Sequence, residues 1–349
     1  MWIISLIVFI FILGIIILIH EFGHFICAKK SGVYIYEFSI GMGPVIFTHK
    51  GKDGIDYNIR ALPIGGFVQM AGEVYEDDSK IKKEQFMCNR PWYQRLCILV
   101  AGVFNNFLLA LVLLFVMALI WGPTSSTPRI LMVQEGSAAE DAGIRAGDLI
   151  TSINGHNFSS WDVGQIYLYY KDSDGIYDFG VTHTDGTSEI ISVKPNIVTD
   201  EEGNETRVFG IQIDNSREKN VWESIKFTFQ KFINIIHSMV ITIGGLITGQ
   251  ISISNLAGPV GIYQVIDQSV QYGIQQLIYI TAFLSINVGF INILPFPAFD
   301  GGHVLFLIIE KIKGSPVNMK VETILNLIGF ALLMLLMIVI TIQDITRLF

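Results

Sequence analysis

Charge is scarce in this 349-residue chain: Asp, Glu, Lys and Arg together make up 15% of it, where about 25% is usual for a soluble domain. Basic residues are the scarcer sign, 23 against 31 acidic, for a formal net charge of −8. That balance excludes a nucleic-acid binder held by basic charge. Cysteine is nearly absent, with three residues, which excludes a disulfide scaffold. What fills the space is apolar. With Gly counted and Tyr left out the fraction is about 57%, against the usual 45–50%. The mean hydropathy is +0.51, which excludes a disordered chain.

The missing charge is concentrated in four stretches. Residues 2–19, 96–121, 277–299 and 324–343, which are 18, 26, 23 and 20 residues long, contain no Asp, Glu, Lys or Arg. A helix crosses the hydrocarbon core in about 20 residues. The sequence therefore predicts a polytopic α-helical membrane protein with four transmembrane helices, over 1–27, 96–121, 277–310 and 321–347. The first is not read as a cleaved signal peptide: it lacks a basic n-region, and His20–His24 follows where a small-residue cleavage pattern would stand. A fifth stretch, 232–247, is interrupted by His237, Gly244 and Gly245. It is predicted to be an interfacial amphipathic helix, within a segment over 220–276 that includes a Gly258-Pro-Val-Gly-Ile262 loop.

Loop charge sets the expected orientation. Residues 25–95 carry ten Lys or Arg, and the short loop before the last span holds Lys311, Lys313 and Lys320. Residues 122–222 carry seven basic residues against 16 acidic ones. The positive-inside rule places both basic loops in the cytosol. The acidic insert and both termini are then extracytoplasmic.

Within the insert, strand patterns fall at 129–133, 177–181, 188–193 and 207–211, with a turn at Asn154-Gly155. The run Gly136-Ser-Ala-Ala-Glu-Asp-Ala-Gly-Ile-Arg-Ala-Gly-Asp148-Leu-Ile-Thr-Ser-Ile-Asn-Gly-His156 resembles the PDZ-domain segment in which a short helix precedes a Gly-Asp turn and a buried strand. Gly147 and Asp148 would make the turn, and Ile150 and Ile153 would face the core. The resemblance implies one α+β PDZ domain over 128–213, a module that captures extended peptide ends by strand addition; the plainer reading is a domain that only shields the membrane part.

The chemistry lies where the first span ends, in His20-Glu21-Phe22-Gly23-His24. Helix positions i and i+4 share one face, about 6 Å apart along the axis. Two imidazoles there can grip one Zn2+, and Glu21 can act as general base on a water. With 7 His and 15 Glu in the chain, about 0.006 chance matches to this pattern are expected. Ionisable groups at the end of a span are functional by default; plain interfacial anchoring would explain one His but not this trio. A catalytic zinc takes three protein ligands and keeps one position open. Asp300 is the acidic residue at the end of another apolar span, in Asn292-Ile-Leu-Pro295-Phe-Pro297-Ala-Phe-Asp300-Gly-Gly302. Its two prolines break the helix, which is tolerated at membrane depth only beside protein or a water-filled cavity. His303 competes as the third ligand, and Cys27 less strongly. Cys88 and Cys97 lack metal-ligand spacing.

Taken together, these motifs resemble the site-2 protease family of intramembrane zinc metalloproteases, in its bacterial form with a single PDZ domain. Further matching strings are Phe38-Ser-Ile-Gly-Met-Gly-Pro44, Leu62-Pro-Ile-Gly-Gly-Phe67, Ala101-Gly-Val-Phe-Asn-Asn106 and Gly258-Pro-Val-Gly-Ile262, so the resemblance runs along nearly the whole chain. Phe299 stands where the family commonly has Leu. The resemblance implies His20, His24 and Asp300 as zinc ligands, Glu21 as catalytic base and Asn292 as a residue that holds substrate backbone. It also implies that 28–95, where short strands are read at 34–38, 45–49, 55–60 and 66–70 around a turn at 51–54, forms a membrane-associated β-sheet offering an edge to unwound substrate. The implied function is hydrolysis within or near the transmembrane segments of single-span proteins, such as anti-sigma factors or remnant signal peptides, in a bacterial plasma membrane with the active site toward the cytosol. A non-catalytic PDZ adaptor with a structural, four-ligand metal site is the alternative. A zinc transporter would need more intramembrane acidic or His residues along a path.

Overall fold

The structure, a computed structural model, describes residues 2–72, 81–124, 127–170, 175–199, 205–214 and 220–347. Parts of two expected regions lie outside the described residues: 73–80 of the β region, and 171–174 and 200–204 of the insert. In chain order the elements begin with α1 (Trp2–Lys30), β1 (Ile35–Lys50), β2 (Asp56–Met70) and α2 (Trp92–Trp121). The insert adds β3 (Ile130–Val133), α3 (Ala138–Asp141), β4 (Leu149–Ile153), β5 (His156–Asn157), α4 (Trp161–Gly164), β6 (Tyr177–Thr182), β7 (Ser188–Val193), β8 (Asn196–Thr199), β9 (Glu205–Val208) and β10 (Ile211–Ile213). Then follow α5 (Val221–Ile247), α6 (Pro259–Tyr272), α7 (Ile274–Ile293), α8 (Asp300–Lys313) and α9 (Met319–Thr346). The chain divides into two compact units, one of residues 1–113 with 257–349 and the other of 114–256.

Among the described residues, five helices are long and apolar enough to cross a membrane: α1, α2, α5, α7 and α9. Four coincide with the charge-free stretches. The fifth is α5, where the sequence predicts an interfacial helix over 232–247. The stretch predicted as one helix over 277–310 is two, α7 and α8, separated at 294–299 around Pro295 and Pro297.

In the first unit, β1 and β2 form one antiparallel pairing with many irregularities. Residues 37–40 are flanked on both sides, by 56–59 and by 66–69, and 45–50 pair with 56–60. Four short strands in the sequence are thus two long bent ones. Gly41, Gly43 and Gly65 make the bends at positive φ. A Cβ on Gly41 would lie 2.5 Å from the Leu62 carbonyl oxygen, so the bend needs glycine there. The Gly258-Pro-Val-Gly-Ile262 string is not a loop but the start of α6. The buried Asp344 carboxylate of α9 accepts the Gly261 N–H at 2.8 Å, an anion at a helix N-terminus. A Cβ on Gly258 would lie 2.8 Å from the same carboxylate. These glycines make room for the cap.

In the second unit, the sheet order is β5-β4-β6-β7, while β3 pairs with β10 and β8 with β9. Asn154 and Gly155 turn β4 into β5 with φ 51 and 77, the left-handed pair that a two-residue hairpin requires. Ile150 and Ile153 are fully buried, with Ile130, Tyr177, Phe179 and Val181. The strand expected over 207–211 is broken: β9 ends at Val208 and β10 begins at Ile211, around Gly210 with φ +78. α5 docks on α4 through one face. Lys231 Nζ meets Asp162 at 2.6 Å, Asn234 Nδ2 donates to Ser160 Oγ at 2.8 Å, and Ser238 Oγ donates to the Asp162 carbonyl at 3.2 Å. Phe229, Ile233 and Val240 of α5 are exposed.

An ion cluster ties β6 and β7 to the Gly147-Asp148 turn. His183 lies 2.9 Å from Glu189 Oε1 through Nε2 and 3.0 Å from the buried Asp148 Oδ1 through Nδ1. The Glu189 contact first, and Asp148 second, raise the pKa of His183. A raised folded-state pKa contributes stability that is fully present below the unfolded value of about 6.5 and is lost as pH rises through the folded value. Amide hydrogen exchange of β6 and β7, corrected for intrinsic rates, is expected to show more protection at pH 6 than at pH 9. His183→Gln should flatten that difference; an unchanged slope would contradict the contribution.

Candidate metal centre

His20 and His24 lie one turn apart near the end of α1, and Asp300 opens α8. Their ligand atoms all lie within 4.8 Å of one another. His20 Nε2 is 3.1 Å from Asp300 Oδ2, His24 Nε2 is 3.4 Å from the same oxygen, and the two Nε2 atoms are 3.1 Å apart. Asp300 Oδ2 is buried, and despite its closeness to both imidazoles it makes no aligned hydrogen bond. His24 Nδ1 lies 2.7 Å from the Ile98 carbonyl oxygen, so this nitrogen carries the proton and Nε2 presents a lone pair. Two lone pairs and a carboxylate oxygen converging on one point suit a cation. Ligand atoms at about 2.0–2.1 Å from a tetrahedral zinc lie about 3.3 Å apart, and the donor set fits that ion.

α2 crosses α1 in the antiparallel sense at this point. A Cβ on Gly23 would lie 2.3 Å from the Ala101 carbonyl oxygen, so the two backbones touch. A Cβ on Gly102 would lie 2.4 Å from His24 Nε2 and 2.7 Å from His20 Nε2. Gly102 thus keeps open the space that the three ligand atoms face. The turn at 294–299 holds Asp300 in register. Ala298 adopts φ +77, its N–H donates to Asn326 Oδ1 of α9 at 3.3 Å, and a Cβ on Gly329 of α9 would lie 2.6 Å from the Pro297 carbonyl oxygen. A Cβ on Gly301 would lie 2.3 Å from the carbonyl oxygens of Ile293 and Leu294, so the Asp-Gly-Gly string packs α8 tightly onto the turn.

Glu21 lies against β2, where a Cβ on Gly66 would approach its side chain at 3.9 Å. The helix turn that carries the histidines therefore packs against the sheet. Asn292 lies on the last turn of α7, half-buried. His303 is not brought to the cluster: its Nδ1 lies 3.1 Å from Glu322 of α9. Cys27 Sγ lies against Cys97 Sγ. Among the described residues, His20, His24 and Asp300 are the one group of His, Cys, Asp and Glu able to hold a metal ion.

The pattern of peptidase family M50 matches residues 8–336. The chain belongs to that family, the site-2 proteases. It is 33% identical to the regulator of sigma-W protease RasP of Bacillus subtilis across the whole of both chains. The zinc metalloproteases RasP of Shouchella clausii and Bacillus licheniformis are 34% and 33% identical, each over 99% of both chains. The protein is accordingly a multi-pass membrane zinc metalloprotease.

One polar neighbour of the candidate metal centre is visible in the sequence only as a letter of a matching string. Asn106 of α2 is fully buried, and its amide lies 3.3 Å from His20 Nδ1. If Nδ2 faces the ring, Oδ1 is left buried with no partner. The amide oxygen and nitrogen exchange places by a half-turn of the side chain. That orientation lets Oδ1 accept the Nδ1–H of His20, which fixes the tautomer with a lone pair on Nε2. Loss of such a contact costs about 10–100-fold in metal affinity. Asn106→Leu is expected to weaken zinc binding by about that factor, whereas Asn106→Asp, which keeps an acceptor, should bind zinc at least as well as wild type. Competition with a fluorescent chelator measures both. The opposite order would show that the amide donates to His20.

Proposed function

We propose that the protease hydrolyses peptide bonds within or near the transmembrane segments of single-span membrane proteins, with His20, His24 and Asp300 holding zinc and Glu21 as general base. The observation that carries this reading is the convergence of His20 Nε2, His24 Nε2 and Asp300 Oδ2 at 3.1–3.4 Å around a space kept clear by Gly102. Bound zinc supplies Lewis acidity to a carbonyl and makes a water easier to deprotonate. Glu21 takes a proton from that water on its carboxylate and gives it to the departing amine nitrogen. A zinc held by these three side chains would keep one position open for water, which favours catalysis over a closed structural site.

A helical substrate has its carbonyls engaged in i→i−4 bonds, and the chain must unwind to be cut. The strand 66–70 is paired on one side with 35–40, and Gly66 in it lies beside the Glu21 side chain. An unwound segment added along that edge runs past the base. The half-buried Asn292 side chain, on the last turn of α7, is assigned to hold substrate backbone.

The insert is read as a PDZ domain. A cavity of about 410 Å³ is lined by Trp161, Leu168, Arg207, Phe209, Gly210 and Ile211, among others. An extended peptide end fits it. The polar face of α5 is engaged with α4 and its other face is apolar and exposed, which favours α5 lying along the membrane surface, with α1, α2, α7 and α9 as the four spans. Loop charge favours a cytosolic active-site end. The name of the Bacillus subtilis relative, a regulator of sigma-W, supports anti-sigma factors as one substrate type.

The test is cleavage of a single-span reporter by the detergent-purified chain. Cleavage should stop with a zinc chelator and return with added zinc. Cleavage insensitive to the chelator would overturn the reading. A zinc-loaded chain that cuts no reporter would favour the adaptor.

A further inference from the structure

Cys27 Sγ and Cys97 Sγ lie 2.9 Å apart, on α1 and α2, and neither takes part in the reaction proposed above. The antiparallel crossing explains their meeting. Asn105 Nδ2 donates to the Ile19 carbonyl, Asn106 meets His20, Gly23 touches Ala101, and His24 Nδ1 donates to Ile98. One turn farther along the same seam, Cys27 meets Cys97. The separation decides between two uses of a thiol pair. Thiolates on one tetrahedral zinc, at about 2.3 Å each, stand about 3.8 Å apart, and those on a linear thiophilic ion stand farther still. A disulfide needs about 2.05 Å, a closure of about 0.9 Å. The pair is too close to chelate a metal and one small side-chain adjustment from bonding.

We propose that Cys27 and Cys97 are a reversible disulfide-forming site that staples α1 to α2 beside the metal centre, with low-molecular-weight disulfides as its oxidant. Cys97 is exposed and Cys27 half-buried, so Cys97 reacts first. Its thiol displaces one thiol from oxidised glutathione and forms a mixed disulfide. Cys27 attacks the Cys97 sulfur and releases the second glutathione. Two protein thiols are oxidised and one glutathione disulfide is reduced, with both thiol protons ending on glutathione. Cys97 adjoins Ile98, whose carbonyl orients His24, and Cys27 is three residues beyond His24. The staple therefore closes at the register that already positions the imidazole, and it holds that register rather than breaking it.

The full-length chain in detergent, treated with oxidised glutathione and digested without reduction, should yield a Cys27–Cys97 linked peptide pair by mass spectrometry, reversed by dithiothreitol. Zinc content should stay unchanged, and zinc release to a chelator should slow several-fold. Cys27→Ser and Cys97→Ser should each carry glutathione on the remaining thiol of the pair, with unaltered zinc release. Glutathione adducts without the link in wild type, a link made instead to Cys88, or loss of zinc on oxidation would overturn the proposal. The zinc readout rests on the ligand assignment proposed above, whereas the cross-link does not, so the two fail separately.

Discussion

Gly102→Ala is expected to leave the protease without zinc and without activity. Two effects of opposite sign compete at this position. Alanine is the better helix former by about 1 kcal/mol, so the helix itself gains from the change. The added methyl carbon, however, falls 2.4 Å from His24 Nε2 and 2.7 Å from His20 Nε2, inside any allowed contact. Both imidazoles must rotate away, and each is held from behind, His24 by the Ile98 carbonyl and His20 by Asn106. Backbone relief is closed off as well, since Gly23 already touches Ala101. Zinc per chain by elemental analysis should fall to near zero, with reporter cleavage lost. Phe104→Ala on the same helix, at a residue 63% exposed, should change neither. Full zinc occupancy in Gly102→Ala would mean that metal binds elsewhere.

Glu21→Gln should separate binding from chemistry. The amide keeps the length and shape of the side chain beside Gly66, but it cannot take a proton from water. A missing general base costs about 10²–10⁴-fold, so zinc content should match wild type while cleavage falls by that factor. His20→Ala should lose both. Retained proteolysis in Glu21→Gln would remove Glu21 from the role of base.

Much of the centre was legible because its strongest signal is local. His20, Glu21 and His24 lie within five residues, and helix geometry alone places the two imidazoles together. Asp300 was legible on different grounds: an acidic group that ends a proline-broken span is costly at membrane depth unless it serves a site. Gly102 and Asn106 were visible only as letters in a matching string. Their roles depend on the antiparallel register of α1 against α2, which brings residues about 80 positions apart into contact, and periodicity carries no information on that register. His303 shows the reverse. Its spacing from Asp300 invites a ligand reading, but it faces Glu322 on α9, a partner that sequence distance conceals. The β region illustrates a similar limit: strands read separately at 34–38 and 45–49, and at 55–60 and 66–70, are continuous, because positive φ at Gly41, Gly43 and Gly65 lets each strand bend and go on. The Gly-Pro-Val-Gly string read as a loop for a similar reason; the Asp344 carboxylate that caps it as a helix lies 83 residues away.

The ligand set is the claim on which the rest depends, and zinc X-ray absorption of the full-length chain tests it most directly. Two imidazoles, one carboxylate and a water predict only nitrogen and oxygen neighbours, at about 2.0–2.2 Å. A sulfur neighbour at about 2.3 Å would bring Cys27 or Cys97 into the centre and contradict the assignment of His20, His24 and Asp300.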